Sequence, residues 1–506
     1  MKKNTLFLSI VAFIGLIACN KLLEETPQSF VSPEQFYKTS SDAVAAVNAI
    51  YYPFASNGDG NQPIYNSLLN TGMDFMTDDL DAGPGSPNND VRTLAVLSHI
   101  SANLRVKEIW QQHYSGINKA NVALARIPGI SMDAKLKSRL LGEAQFLRGL
   151  YYFNLVRLYG AVPLLLTDQT QETIGNLQVG RTSVDSVYNQ IINDLEASIT
   201  LFYAGSSPES GRATEGAAKA LLSKVYLTKR DWTSAILYAD SVINGSYGYD
   251  LFTDYSQVFL PAYKNGKEHI FSIQFKNGVQ TNQVCGRDIK SGVPGLKGSY
   301  GDQVRFYTVR NDNYFSIYKL YQPSDKRKRV SFVTFYTSPT NGKKYITLNA
   351  PGDSVPFINK YWDPNYASTN VSEANATVLR FAEVLLIKAE AENELNGPTS
   401  NAYTAINRVR NRAGLTNLSN LTQNQFREAV YLERRLEFVG EYQRYFDLIR
   451  ETDSISTGEG PLNRGILTKS LIAVGKTNVS APKHYLYPIP ETEIQRNPKL
   501  TQNPGW

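Results

Sequence analysis

The chain has 506 residues, 42% of them hydrophobic and 19% charged, and its 52 Lys and Arg against 46 Asp and Glu leave a formal charge of +6. That balance is too diffuse to point to nucleic acid, and two cysteines exclude a disulfide framework. The 31 tyrosines are compatible with an aromatic binding surface, although most such rings belong to a core.

Lys2 and Lys3 precede an apolar run over 6–17 that is too short to span a bilayer comfortably, and Leu16-Ile-Ala-Cys19 follows at once. The pattern looks like a bacterial lipoprotein signal, with small residues for the peptidase and a thiol for the lipid. A plain secretory signal with a chance cysteine is the alternative. The expectation is a signal peptide over 1–18 and a mature chain starting at lipidated Cys19. No other stretch is apolar enough to cross a membrane, so the rest is tethered. Residues 20–37, with Pro27 and Pro33, read as a linker.

Ser41-Asp42 caps a helix through Ala43, Val47, Ile50 and Tyr51. From 58 to 89 the composition turns to Gly, Asn, Asp and Pro, a long loop region interrupted by one short apolar run, of the kind that carries function. Trp110, Tyr114, Ile117 and Ala120 begin the next helical face, which ends near Pro128-Gly129. Apolar residues at Ala144, Leu147, Tyr151, Leu155 and Leu158, with a second stripe at Phe146, Leu150 and Phe153, predict a helix buried on more than one side. It starts near Asp133, with Ser131 as candidate N-cap, and Gly160 and Pro163 stop it. Ser183 opens another helix through Val187, Ile191, Leu195 and Ile199.

Helical pairs follow. The first joins 214–228 to a helix capped by Asp231, and Leu222, Tyr226, Ala235 and Val242 keep the offsets of a tetratricopeptide repeat, with Ser223 and Ala239 departing from it. The second joins 380–395 to 400–412 through Asn396-Gly-Pro398. Thr422-x-x-Gln425 is a capping box for a last large helix to about 450, with a break at Gly440. Between 246 and 375, β-like runs such as 268–275 and 330–336 alternate with turns.

No catalytic constellation emerges, and neither a metal nor a cofactor is expected. His99, His113, His269 and His484 are isolated, and there is no phosphate-cradling loop or nucleophile elbow. Asp74, Asp78, Asp79 and Asp81 could be paired carboxylates for glycoside hydrolysis or a calcium site, but acidic residues in an exposed loop are more often solvated. Cys285 has no partner histidine nearby and reads as inert. Lys326-Arg-Lys-Arg329, the longest basic run, is compatible with a solvated loop. Glu433, Arg434, Arg435 and Glu437, with Glu441, Arg444, Asp447 and Arg450, place opposite charges at i,i+3 and i,i+4 and read as a structural ion-pair network.

Taken in order, several motifs resemble the SusD/RagB-type lipoproteins of the Bacteroidetes. They are the Leu16-Ile-Ala-Cys19 lipobox, Gly142-Glu-Ala-Gln-Phe-Leu-Arg-Gly-Leu-Tyr-Tyr-Phe153 with Leu158-Tyr-Gly-Ala-Val-Pro163, and Arg380-Phe-Ala-Glu-Val-Leu-Leu-Ile-Lys-Ala-Glu390. Ile406-Asn-Arg-Val-Arg-Asn-Arg-Ala-Gly414, Glu433-Arg-Arg-Leu-Glu-Phe438 leading to Arg444-Tyr-Phe-Asp-Leu448, and Tyr487-Pro-Ile-Pro490 complete the set.

The resemblance implies a mainly α, SusD-like fold with tetratricopeptide-like helical pairs and long loop insertions carrying short β-hairpins. A part over 19–245 and a part over 246–506 would form one compact unit. It further implies a non-enzymatic, lipid-anchored protein of the outer membrane that faces the cell exterior. That protein would capture a nutrient, foremost an oligosaccharide, for a SusC-like TonB-dependent transporter. A peptide ligand is the closest variant, and a lipid-anchored hydrolase using the 74–81 carboxylates is the alternative from another class.

The shared motifs lie on the scaffold and are silent about ligand. Specificity is expected in loops over about 58–105 and 285–345, since glycan sites stack aromatic faces on sugar C–H surfaces beside planar polar groups. The candidate ligand residues are Asp79, Asp81, Asn89 and Arg92 in the first loop and Tyr300, Tyr307 and Tyr314 in the second, with Phe306 and Phe315 beside them.

Overall fold

The structure is a computed structural model that describes residues 36–506, apart from 57–60, 83–87, 169–172, 206–207, 277–306, 309–316, 338–343, 347, 351–352, 355, 362, 364–371 and 452–464. The signal sequence, Cys19, Cys285, Tyr300, Phe306, Tyr314 and Phe315 lie outside the described residues.

The fold is mainly helical. Its larger helices are α1 (Ser40–Ala55), α2 (Asn89–Ala95), α3 (Leu104–Arg126), α4 (Ala134–Tyr159), α5 (Val184–Ala204), α6 (Glu215–Lys229) and α7 (Trp232–Ile243). After them come α8 (Arg327–Ser331), α9 (Phe381–Asn396), α10 (Ser400–Ala413), α11 (Gln423–Phe438) and α12 (Arg444–Arg450). Successive helices pack side by side: α1 on α3, α3 on α4, α4 on α5, α5 on α6, α6 on α7, α7 on α9, and α9 on both α10 and α11. The two helical pairs read from the sequence, α6 with α7 and α9 with α10, are consecutive steps of that series.

Helix α4 is the spine. Asp133, rather than Ser131, caps it by accepting from the Leu136 amide, and Gly160 leaves it at φ 71°, a left-handed conformation that glycine adopts without strain. Nineteen of its residues are buried, which is why its apolar pattern covers more than one face. A tyrosine can lie this deep only where its hydroxyl finds a partner. Tyr151 donates to the Ile50 carbonyl, Tyr152 to Leu165 and Tyr159 to Val106.

Local caps set the other boundaries. Thr39, rather than Ser41, caps α1, forming a capping box with Asp42. Thr422 and Gln425 make the capping box of α11 as the sequence indicates. The helix containing Trp110 begins earlier than its apolar face, at Leu104, because Asn103 caps it. The apolar interruption of the 58–89 stretch is helical, as Ile64–Leu68 and Leu69–Gly72, with Ile64, Leu68 and Leu69 buried in the core.

Among the described residues ten short strands interrupt the helices: β1 (Leu80–Asp81), β2 (His269–Ile273), β3 (Tyr307–Thr308), β4 (Phe332–Val333), β5 (Phe335–Thr337), β6 (Lys344–Ile346), β7 (Leu348–Ala350), β8 (Asp353–Ser354), β9 (Phe357–Ile358) and β10 (Ala376–Arg380). Strands β5 with β6 and β7 with β8 form two-stranded antiparallel pieces, and β2 pairs with β10. Of the 330–336 run, expected as β-like, 332–333 and 335–336 are strand, while 330–331 close α8. The remaining sheet has the order β1-β3-β9-β4 and rests on an apolar cluster of its own, formed by Phe75, Leu80, Val91, Ile317, Tyr321, Phe332, Ile358, Leu436 and Val439.

Candidate ligand-binding site

The β1-β3-β9-β4 sheet joins the two regions that the sequence marks for ligand. Leu80 lies opposite Thr308 and Asp81 opposite Tyr307, so the segment after Asp74 and the aromatic segment around Tyr307 share one edge. Tyr307 also pairs with Phe357 on its other side.

The first segment is held from below by charge. Arg435 Nε lies 2.6 Å from Asp79, its terminal nitrogen 3.0 Å from Asp78, and Arg444 Nε 2.8 Å from Asp78 and 3.8 Å from Asp79. Burial alone would raise the Asp78 carboxyl, but Arg435 and Arg444 bring it well below the usual carboxylate range. For Asp79, burial and the Asp78 charge outweigh the same arginines, and its carboxyl is raised. The buried ammonium of Lys476 donates to two main-chain carbonyls, Phe75 at 2.6 Å and Leu80 at 2.9 Å. Burial pushes that amine down to about 8, against the opposing pull of Asp81 and Asp78.

The candidate residues therefore separate. Asp79 is 1% exposed and ion-paired, so it is part of the foundation and not a group that meets ligand. Asp74 and Asp78 are buried too, which corrects the reading of this acidic run as an exposed, solvated loop. Asp81 is half-buried and accepts from the Ala82 amide. Asn89 and Arg92 are exposed at the start of α2, where Asn88 is the N-cap. Of the three tyrosines only the backbone of Tyr307 is described, in β3.

Beneath the sheet, α11 carries Glu433, Glu437 and, past its end, Glu441 toward a group of cations. Arg327 meets Asp325 at 2.8 Å, Glu433 at 2.6 Å and Glu437 at 2.9 Å. Arg380 meets Glu437 at 2.6 Å, Glu441 at 2.8 Å and Glu268 at 3.0 Å, while Arg412 bridges Glu268 and Glu437 and Lys360 holds Glu441. Burial would raise the Glu437 carboxyl, yet Arg412, Arg380 and Arg327 bring it far below its ordinary value. The network is structural, as the charge pattern indicates, but its partners differ. Apart from Asp447 with Arg450 and Asp325 with Arg327, these bridges join separate elements instead of neighbours along one helix. Long-range partners such as Lys360, Lys476 and Arg412 carry no local signal and were missed.

On the outer side of β4 and α8 a cleft of about 620 Å³ opens, lined among the described residues by Tyr318, Lys326, Lys328, Arg329, Phe332 and Asn359, with neighbours from the 323–325 and 334 positions. Tyr318 and Phe332 pack edge to face with ring centroids 5.5 Å apart. A second cavity, about 120 Å³, lies between α4, α6 and α12 and is lined by Val156, Tyr188, Leu227, Phe446 and Arg157. The guanidinium of Arg157 there is sandwiched between the rings of Phe153 and Phe446, at 3.8 and 3.5 Å. Among the described residues no group of His, Cys, Asp and Glu is arranged to hold a metal. The open cleft beside the sheet, with aromatic and polar walls, is the arrangement suited to a saccharide.

Two family models match the chain: one for the SusD family over residues 267–506, the other described as starch-binding, associating with the outer membrane, over residues 34–227. The SusD-like protein P25 of Formosa agariphila is 28% identical across 99% of this chain and 98% of its own. A SusD superfamily protein from Parabacteroides distasonis superposes with a TM-score of 0.75 at 27% identity, covering 92% of this chain and 99% of that one. A laminarin-binding SusD-like protein superposes with a TM-score of 0.74 at 25% identity, covering 93% and 100%.

Proposed function

The chain belongs to the SusD-like family of starch- and glycan-binding proteins, and on that premise we propose that it captures an oligosaccharide at the cell surface and passes it to a SusC-like TonB-dependent transporter. The observation that carries the reading is the pairing of Asp81 with Tyr307, which sets strands from two distant parts of the sequence side by side. A binding protein needs its contact groups held in place before ligand arrives, because ordering them on binding subtracts from affinity. The ion pairs of Asp78 and Asp79 and the Lys476 clamp supply that order.

Attachment to the outer membrane through a lipid on Cys19, with the binding face outward, belongs to the same proposal. So does the joint action of the 19–245 and 246–506 parts, which is supported by one apolar cluster with members from Ala43 to Leu500. SusD-like proteins are binding proteins. A hydrolase working through the 74–81 carboxylates is the weaker reading, because Asp78 and Asp79 face arginines inside the protein.

The test is titration calorimetry of the soluble mature chain against neutral and acidic oligosaccharides and mixed peptides, with product analysis of each mixture. Binding of an oligosaccharide without turnover supports the reading. Peptide binding alone moves the function to peptide import. Sugar turnover abolished by Asp79→Asn would replace binding with hydrolysis.

A further inference from the structure

The basic run 326–329 does not stay together in the fold. Arg327 turns inward, fully buried, and is neutralised by Asp325, Glu433 and Glu437. Lys326, Lys328 and Arg329 point the other way and line the cleft beside Tyr318, Phe332 and Asn359. A solvated helix face would spread its charges over water, whereas this run sorts one cation to the core and three to a single concave surface.

Among the described residues no carboxylate forms an ion pair with those three. Asp325, the acidic residue in the cleft wall, is buried and committed to Arg327. Asp254, exposed on the neighbouring turn, acts on Arg329 and Lys326 from a distance without an ion pair to either among the described residues. Lys328 holds its ammonium 4.1 Å from the centroid of the Tyr318 ring. The cleft thus offers an aromatic face with a cation at it, two further cations, and the amide of Asn359.

We propose that this cleft selects oligosaccharides bearing carboxylate or sulfate groups over neutral ones. The inference rests on the glycan-binding reading and narrows it to a ligand class. A sugar ring presents a C–H face to the half-buried ring of Tyr318, and its acidic substituents meet Lys326, Lys328 and Arg329 in a concave site where field lines concentrate. A neutral glucan would leave three cations crowded in the cleft without counter-charge. Guanidinium and ammonium together suit mixed anionic geometries, since Arg binds planar oxyanions bidentately and Lys acts as a point charge.

The experiment is calorimetry on the mature chain with four probes of equal length: an α-1,4-linked galacturonate hexamer, a sulfated galactan hexasaccharide, maltohexaose and laminarihexaose. Inorganic polyphosphate is the non-saccharide control. The expected result is that one of the acidic probes binds at least about tenfold more tightly than either neutral one, with affinity falling as salt is raised. The triple variant Lys326→Gln, Lys328→Gln, Arg329→Gln should lose that preference while keeping its melting temperature, and Tyr318→Ala should weaken binding of the acidic probe as well.

Binding by maltohexaose or laminarihexaose alone, unaffected by the triple variant, would overturn the inference and leave the glycan-binding function standing. Unchanged binding of acidic probes to the triple variant would place their site elsewhere and equally overturn it. Polyphosphate binding as tightly as the saccharides would reduce the cleft to a polyelectrolyte patch. Failure of every saccharide to bind would remove the glycan-binding function itself.

Discussion

Asp81 and Tyr307 face one another across an antiparallel ladder, the first from the end of a buried acidic segment and the second from the aromatic region. Their pairing sets β1 and β3 side by side in one sheet surface. If that surface binds ligand, alanine at Tyr307, and at Tyr300 and Tyr314 in the same region, should weaken binding by more than ~1 kcal/mol wherever the ring is a hot spot. Dissociation constant and melting temperature of each variant decide the matter. Normal binding with lower melting in all three would make those rings core.

Glu437 accepts from Arg327, Arg380 and Arg412 inside the protein. Glu437→Gln should destabilise the fold by about 3–5 kcal/mol, because three buried guanidinium groups lose their shared counter-charge. Chemical denaturation reads the loss. Ligand affinity of the folded fraction should stay within about twofold, since the residue does not reach the surface.

Acid should act through the same groups. Asp447 is brought down to about 2, because Arg434 and Arg450 override the upward push of burial, and Asp78 and Glu437 are lowered as well. Folded values below the unfolded ones mean stability that is fully present above about pH 4 and lost as pH falls through the folded values. These groups should therefore make the melting temperature drop steeply between about pH 4 and 2. A flat profile to pH 2 would show that these carboxylates are not charge-paired.

Lys476→Met should leave the buried Phe75 and Leu80 carbonyls without their donor, a loss of about 1–3 kcal/mol. Amide exchange over 75–82 should quicken more than exchange in α4. Equal protection in both variants would show that the clamp is redundant.

Cys19→Ala should yield a chain that is not lipidated and does not sediment with membranes. Several acyl chains hold stably where one binds reversibly. Pelleting of the alanine variant in high salt, without its transporter, would defeat the anchor.

The scaffold was legible because its signals are local. Asp133, Thr422 with Gln425, and the spacing of Leu147, Tyr151 and Leu155 announce helix ends and buried faces within a few residues. The site was less so. Asp78 and Asp79 sit among Gly, Asn and Pro and read as loop, while the partner that buries Asp79, Arg435, is 356 residues away. The same distance hid the network's connectivity: charges on one helix look paired to each other until Arg380, Arg412 and Lys360 arrive from elsewhere. The break at Gly440 was readable, and its φ of 71° turns the chain so that Glu441 still reaches Arg380.

Lys476 grips the acidic segment by the main-chain oxygens of Phe75 and Leu80. Every amino acid carries such an oxygen, so the clamp is blind to the identity of the residues it holds. The attachment itself would survive exchange of the side chains beyond the segment's buried residues, provided the two aspartates, Phe75 and Leu80 stay. A lineage facing a new food source would need to rewrite only the outward positions, and could do so one codon at a time.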